Sequence, residues 1–133
     1  MLVYQSRYVV MNYDKVSSLL EVIWTRETEN ATDKDFKFEA VTYLETLETY
    51  HPEKVLFDTT VTVFPINLDL QIWGNNHIIS KTRLTGLKKT AIVISTDPIT
   101  RLSIEQLFDE DVKQAVKRKF FETIEEARDW LLI

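Results

Sequence analysis

The last fourteen residues, FFETIEEARDWLLI, most constrain what this chain can fold into. An apolar pair, Phe120 and Phe121, is followed by Thr123 and, three residues on, Glu126. Threonine with a glutamate three places later is a helix-start signal, because each side chain satisfies the other's free backbone amide. Ala127, Trp130 and Leu131 then fall at helical spacing. A strand end, a cap and a short amphipathic helix therefore follow one another directly. The same strand-then-helix order recurs upstream. Alternation of this kind implies parallel crossovers with helices laid on a sheet.

A chain of 133 residues fits one domain, spanning 1–133, with a core that needs no staples. Cysteine is absent, which excludes disulfides, thiolate metal sites and a cysteine nucleophile, and fits a cytoplasmic setting. No charged segment precedes an apolar run at the N-terminus, so no signal peptide is expected. No apolar run reaches the roughly eighteen residues of a membrane span. The net charge of −5 argues against nucleic acid, whose phosphates need a basic face. Acids concentrate between Glu27 and Glu53, whereas Lys81, Arg83, Lys88, Lys89 and Arg101 lean the other way. The Lys81–Lys89 cluster reads as solvated loop charge or as a phosphate or partner contact.

Leu2–Met11 and Val16–Thr25 are rich in Val, Ile, Tyr and Trp, and Asn12-Tyr13-Asp14-Lys15 between them suits a hairpin turn. The second of these strands is apolar on both faces except at Glu21, as in a central strand covered on both sides. Thr32 and Asp35 open a helix with Phe36, Ala40, Tyr43, Leu44 and Leu47 inward and Glu39, Glu45 and Glu48 on the wet side. His51-Pro52 ends it. Lys54–Thr60 reads as a buried strand, and Ile66–Ser80 as a helix with Leu68, Ile72 and Ile79 on one face. Gly86 marks a turn and Lys88–Thr96 a buried strand that Asp97-Pro98 stops. Ser103 and Gln106 form a capping pair for a helix through about Lys119, with Ile104, Leu107, Phe108, Val112, Ala115 and Val116 inward. The expected fold is α/β: a mixed sheet of four to five strands with about four helices, in the order β-β-α-β-α-β-α-β-α.

Few residues point to chemistry. Two glycines, Gly74 and Gly86, cannot form a phosphate-cradling loop, and no nucleophile elbow is present. His51 reads as a helix-terminal residue. His77 has Trp73 and Lys81 at the helical positions where a second metal ligand would sit. A Ser-His-Asp set of Ser80 or Ser95, His77 and Asp58 can be written, as it can for most chains this long. Asp109-Glu110-Asp111 reads as a wetted acidic face rather than a divalent site. No metal and no cofactor is expected, and no enzymatic activity. Asp58, Thr59 and Thr60 stand at the carboxyl end of a strand, where α/β sheets gather ligands. They either contact a partner or satisfy the amides of their own turn. Trp24, Phe36, Phe64, Trp73 and Trp130 either line a cavity or fill the core.

The opening hairpin, KVLFDTTVTVFPINLDLQIW, KKTAIVIST and FETIEEARDWLL together resemble the SpoIIAA-like branch of the STAS fold, a group of small bacterial proteins. The layout is also similar to that of the CRAL-TRIO lipid-transfer domains. The first resemblance implies a sheet flanked by helices and protein–protein regulation without catalysis. In the anti-sigma antagonists of that group, a serine after the third strand is phosphorylated and switches partner binding. Here the region carries Asp58, Thr59, Thr60 and Thr62 and no serine, so Thr59 or Thr60 would have to substitute. Phosphate there would add about −1.5 to −2 charge. The expected role is a regulatory interaction module with a protein partner, presenting Asp58, Thr59, Thr60, Phe64 and Trp73, and open to homodimerisation through an exposed sheet edge. The alternative is a binder of a small apolar ligand, with Trp24, Phe64 and Trp73 beside the pocket.

Overall fold

The computed structural model of the chain describes residues 1–109 and 115–133. Among the described residues, β-branched and aromatic runs form six strands: β1 (Leu2–Gln5), β2 (Val9–Asp14), β3 (Leu19–Trp24), β4 (Lys54–Asp58), β5 (Lys89–Val93) and β6 (Lys117–Phe121). They lie side by side in chain order in one sheet. β1, β2 and β3 are antiparallel neighbours, and β3 through β6 are parallel. The α/β class holds, with six strands rather than four to five. The additional strand arises because Leu2–Met11 does not run straight. At Ser6 the chain turns, and the Ser6 hydroxyl accepts the amides of Tyr8 and Val9. The next turn falls at Lys15–Ser18, after the expected Asn12–Lys15, with Asn12 and Tyr13 still paired to Glu21 and Leu20.

Helix α1 (Asp33–Tyr50) starts with the capping box read from Thr32 and Asp35 and ends at His51, whose backbone is left-handed before Pro52. After β4, α2 (Leu68–Gly74) runs into a π-helical turn (Asn75–Ile79), then α3 (Ser80–Thr82) and a 3₁₀ turn that Gly86 closes at φ 96°. Helix α4 (Pro98–Asp109) follows β5, and α5 (Ile124–Leu131) closes the fold. The start of α4 corrects the sequence reading. Pro98 opens this helix, and Asp97 caps it by accepting the Thr100 amide and hydroxyl. Proline is favoured at a first helical position because that amide has no partner anyway. Ser103 lies inside the helix, buried, and Lys117–Lys119 belong to β6. Glu110, Asp111 and Val112, assigned above to a helix and an acidic face, lie outside the described residues.

Four parallel strands in chain order, joined by crossovers of the usual hand, leave their helices on one face. Phe36, Ala40, Tyr43 and Leu47 of α1, Leu70 of α2, Ile78 and Ile79 of the π turn, and Ile104 and Leu107 of α4 share one core with that face. Leu68 and Ile72, expected inward, are exposed; the π turn changes which residues face the sheet. Helix α5 covers the other face, packing Ala127 and Leu131 on Leu56, Ala91 and Val93. Glu21 of β3 faces α5 and pairs with Arg128 at 2.7 Å, so β3 is covered on both sides as its composition implies. No helix among the described residues is long and apolar enough to cross a membrane.

Glu39 departs from its expected wet position. It is 2% exposed, and its carboxylate accepts the Tyr4 hydroxyl at 2.9 Å and the Ser6 hydroxyl at 3.1 Å. Those bonds clasp edge strand β1 to α1. A buried carboxylate deprived of its donors, or donors deprived of the carboxylate, cost about 1–3 kcal/mol. Glu39→Ala is therefore expected to lower stability in urea unfolding by about that amount, and Glu39→Gln, which keeps an acceptor, by less. Equal losses would show that the carboxylate does not hold β1. The caps add a pH dependence. Hydrogen bonds from Thr32 hold Asp35, and those from Thr100 hold Asp97, below the ordinary 3.8. A lowered carboxyl contributes stability above its unfolded value and loses it as pH falls through the folded one. The urea midpoint should therefore fall between about pH 4 and pH 2; a flat profile would contradict the caps.

Candidate functional site

Parallel register decides which side chains meet over the helix-covered face. Leu20, Val55, Thr90 and Arg118 are successive neighbours across β3 to β6. Two residues further along the strands, Val22, Phe57, Ile92 and Phe120 form the next row. Side chains on one face recur every second residue, so both rows point toward α1, α2 and α4. The first row turns polar at its β5–β6 end, whereas the second stays apolar throughout.

A cavity of about 90 Å³ lies between these rows and the helices. Phe57, Ile92 and Thr90 form part of its floor, Ala40 and Tyr43 of α1 one wall, and Ile78, Ile79 and Leu107 another. Phe36 stacks between Trp24 and Phe64, with ring centres 5.9 and 5.5 Å apart, and all three rings line one end. Gly74 also lines the cavity, and a Cβ there would meet Leu107 Cδ1 at 3.2 Å. A glycine at that point lets the composite helix approach α4 closely.

The loop between β4 and α2 forms the rim, held by buried hydroxyls. Thr28 accepts the Val63 amide, Thr100 the Phe64 amide and Ser103 the Ile66 amide. The Gln71 side chain donates to the Ile66 carbonyl at 2.8 Å. A loop whose amides are satisfied from the core cannot shift freely, so Phe64 and Ile66 are fixed at the cavity.

Polar groups gather at the other end. Thr90 is 1% exposed, and its hydroxyl is the buried side-chain group with no hydrogen-bond partner among the described residues. Burial pushes the Tyr43 phenol well above its ordinary value, and the nearby Arg118 charge lowers it only in part. Tyr43 is therefore a neutral phenol. Arg118 donates to the Thr82 hydroxyl at 3.3 Å and lies 5.8 Å from the centre of the Phe108 ring.

The residues singled out by sequence separate here. Thr59 and Phe64 line the cavity with Trp24. Thr59 is buried and donates to the Val93 carbonyl at 2.6 Å, so phosphorylation there would require the strand end to open. Asp58 alternates to the opposite face and accepts the Thr60 amide and hydroxyl, at 3.0 and 2.6 Å. Asp58 and Thr60 thus satisfy their own turn. Trp73 is away from the cavity, packed on His77 with the Lys37 ammonium 5.4 Å from its ring centre. Ser95 donates to the Thr62 carbonyl and Ser80 to the Asn76 carbonyl, so the written Ser-His-Asp set is not assembled. His51 Nδ1 lies 3.0 Å from the Thr85 carbonyl. No cluster of three metal-ligating side chains exists among the described residues.

Thr90, Tyr43 and Arg118 were not singled out by sequence as site residues. The alternation in KRKFF carried a signal for Arg118, since residues 118 and 120 of a strand share a face. Compared with known proteins, the chain matches no family, no curated protein and no solved structure.

Thr90→Val removes the unpartnered hydroxyl at nearly constant shape. It is expected to raise the stability of the ligand-free protein by about 1 kcal/mol or more in urea unfolding. A loss of stability would mean that the hydroxyl is bonded in the native state.

Proposed function

We propose that this chain is a non-catalytic binding protein for a small, largely apolar molecule held in the cavity between the sheet and helices α1, α2 and α4. The observation that carries this reading is the coincidence of the void with the unpartnered Thr90 hydroxyl. At about 24 cal/mol per Å³, a void of this size costs about 2 kcal/mol. The buried hydroxyl adds about 1–3 kcal/mol. Net stabilities are only about 5–15 kcal/mol, so an imperfection of this size at one spot is a large share. A bound molecule would fill the void and partner the hydroxyl, removing both costs. A concave apolar site with a few convergent polar groups is also the usual form of a small-molecule pocket.

A second reading, the regulatory interaction module of STAS-like layout, is favoured by Leu68 and Ile72, which α2 leaves 63% and 45% exposed. The two are compatible, because α2 joins the cavity wall to that outer surface.

Ala40→Leu tests the cavity directly. The larger side chain would occupy the void from α1, where Ala40 is buried against it. Thermal-shift measurements with benzene, which fits an engineered cavity of about 150 Å³, should show stabilisation of the wild-type protein. The same probe should leave Ala40→Leu unmoved. A wild-type protein indifferent to small apolar probes, or a variant that responds equally, would overturn the assignment.

A further inference from the structure

Resting on the cavity reading above, we infer that the bound molecule is a small neutral ketone or aldehyde, its carbonyl oxygen accepting a hydrogen bond from the Thr90 hydroxyl and its carbon skeleton lying against Phe57 and Ile92. Thr90 lines the cavity, is 1% exposed, and carries the buried side-chain polar atom that has no hydrogen-bond partner among the described residues. Ile92 follows Thr90 by two places on the same face of β5, and Phe57 is its neighbour on β4. Rows two residues apart are separated by about 6.5–7 Å. A carbonyl group with a few carbons attached spans that distance. A single donor needs no convergence with other groups.

Counting protons selects the carbonyl. The other threonines of the lining have committed theirs: Thr59 donates to the Val93 carbonyl, Thr62 to the Trp24 carbonyl and Thr82 to the Ile79 carbonyl. Arg118 is engaged with the Thr82 hydroxyl and the Phe108 ring. The Thr90 hydroxyl is the group that calls for a partner. A ketone brings an acceptor and no proton, so one bond satisfies both sides. An alcohol brings a proton of its own, and a single bond between two hydroxyls leaves one proton unmet. A primary amide brings two. A buried donor left over is costly, so both bind less well than the ketone.

Charge and size narrow the class. No carboxylate lines the cavity among the described residues, so an ammonium would be buried unpaired. A carboxylate ligand would find one open donor where it needs several. Water is a poor occupant too, because a buried water is held by about three polar partners. The cavity, about 90 Å³, has about three-fifths of the roughly 150 Å³ that accepts benzene. The ligand is therefore a short branched chain or one small ring, of about four to six non-hydrogen atoms. Long-chain lipids are excluded by volume.

Titration of the full chain with cyclopentanone, cyclopentanol and cyclopentane, followed by NMR, tests the inference with one ring shape. Cyclopentanone is expected to bind about five-fold or more tightly than cyclopentanol. Thr90→Val should weaken cyclopentanone about ten-fold, because the bound carbonyl then has no donor, while moving cyclopentane by less than about two-fold. Thr90→Ser, which keeps the hydroxyl, should retain the preference for the ketone over the alcohol. An alcohol that binds as well as the ketone, or a ketone affinity that Thr90→Val leaves unchanged, would overturn the carbonyl assignment while cyclopentane binding upholds the cavity. Failure of all three to bind would overturn both.

Discussion

The parallel pairing of β3 through β6 in chain order controls everything else in this molecule. With the crossovers all moving the same way, α1, the α2–α3 composite and α4 are placed on one face of the sheet. Three helical segments of unequal length then have to cover a single twisted surface. Helix α1 has 18 residues, whereas α2 has 7 before it widens into a π turn. The opposite face needs only α5, because its core is small: Leu56, Ala91 and Val93 beneath Ala127 and Leu131. The crowded face is where the cavity forms.

That cavity is a consequence of local choices that each have a separate physical reason. Gly74 lets the composite helix meet Leu107 closely, and the π turn brings Ile78 and Ile79 inward as sequence neighbours. π turns occur often at functional positions, where an inserted residue has been retained despite its poorer hydrogen bonding. The rim loop is fixed from below by Thr28, Thr100 and Ser103, so Phe64 completes the Trp24–Phe36–Phe64 stack. A rigid loop over an incompletely filled face places a pocket near the carboxyl ends of parallel strands, the position α/β sheets favour for ligands.

Much of the framework was legible in the sequence. The box at Thr32–Asp35 and the Thr123 cap, which accepts the Glu126 amide without the reciprocal bond, work locally within one turn, and both helices start there. Gly86 and His51-Pro52 likewise act through their own backbone. Readings failed where a distant partner decides. Glu39 follows a helical pattern that faces water, yet the hydroxyls of Tyr4 in β1 and of Ser6 in the turn after it, more than thirty residues away, hold it inside. Ser103 looks like a cap, but Asp97 captures Thr100 first and Ser103 instead serves the Ile66 amide. Of the site, the aromatic end was visible as Trp24, Phe36 and Phe64. The polar end was not, because Thr90 and Arg118 meet only through the register of β5 and β6. A void leaves no trace in composition at all.

The account stands on an apolar-walled cavity with Thr90 at its lining. A crystal structure determined under xenon pressure measures that most directly. Xenon occupies dry apolar cavities of this kind. The expected result is a xenon atom, or a retained small molecule, among Phe57, Ile92, Ile79 and Leu107, with the Thr90 hydroxyl bonded to no protein group. A closed core with no such density, and Thr90 donating to a neighbouring carbonyl, would contradict it.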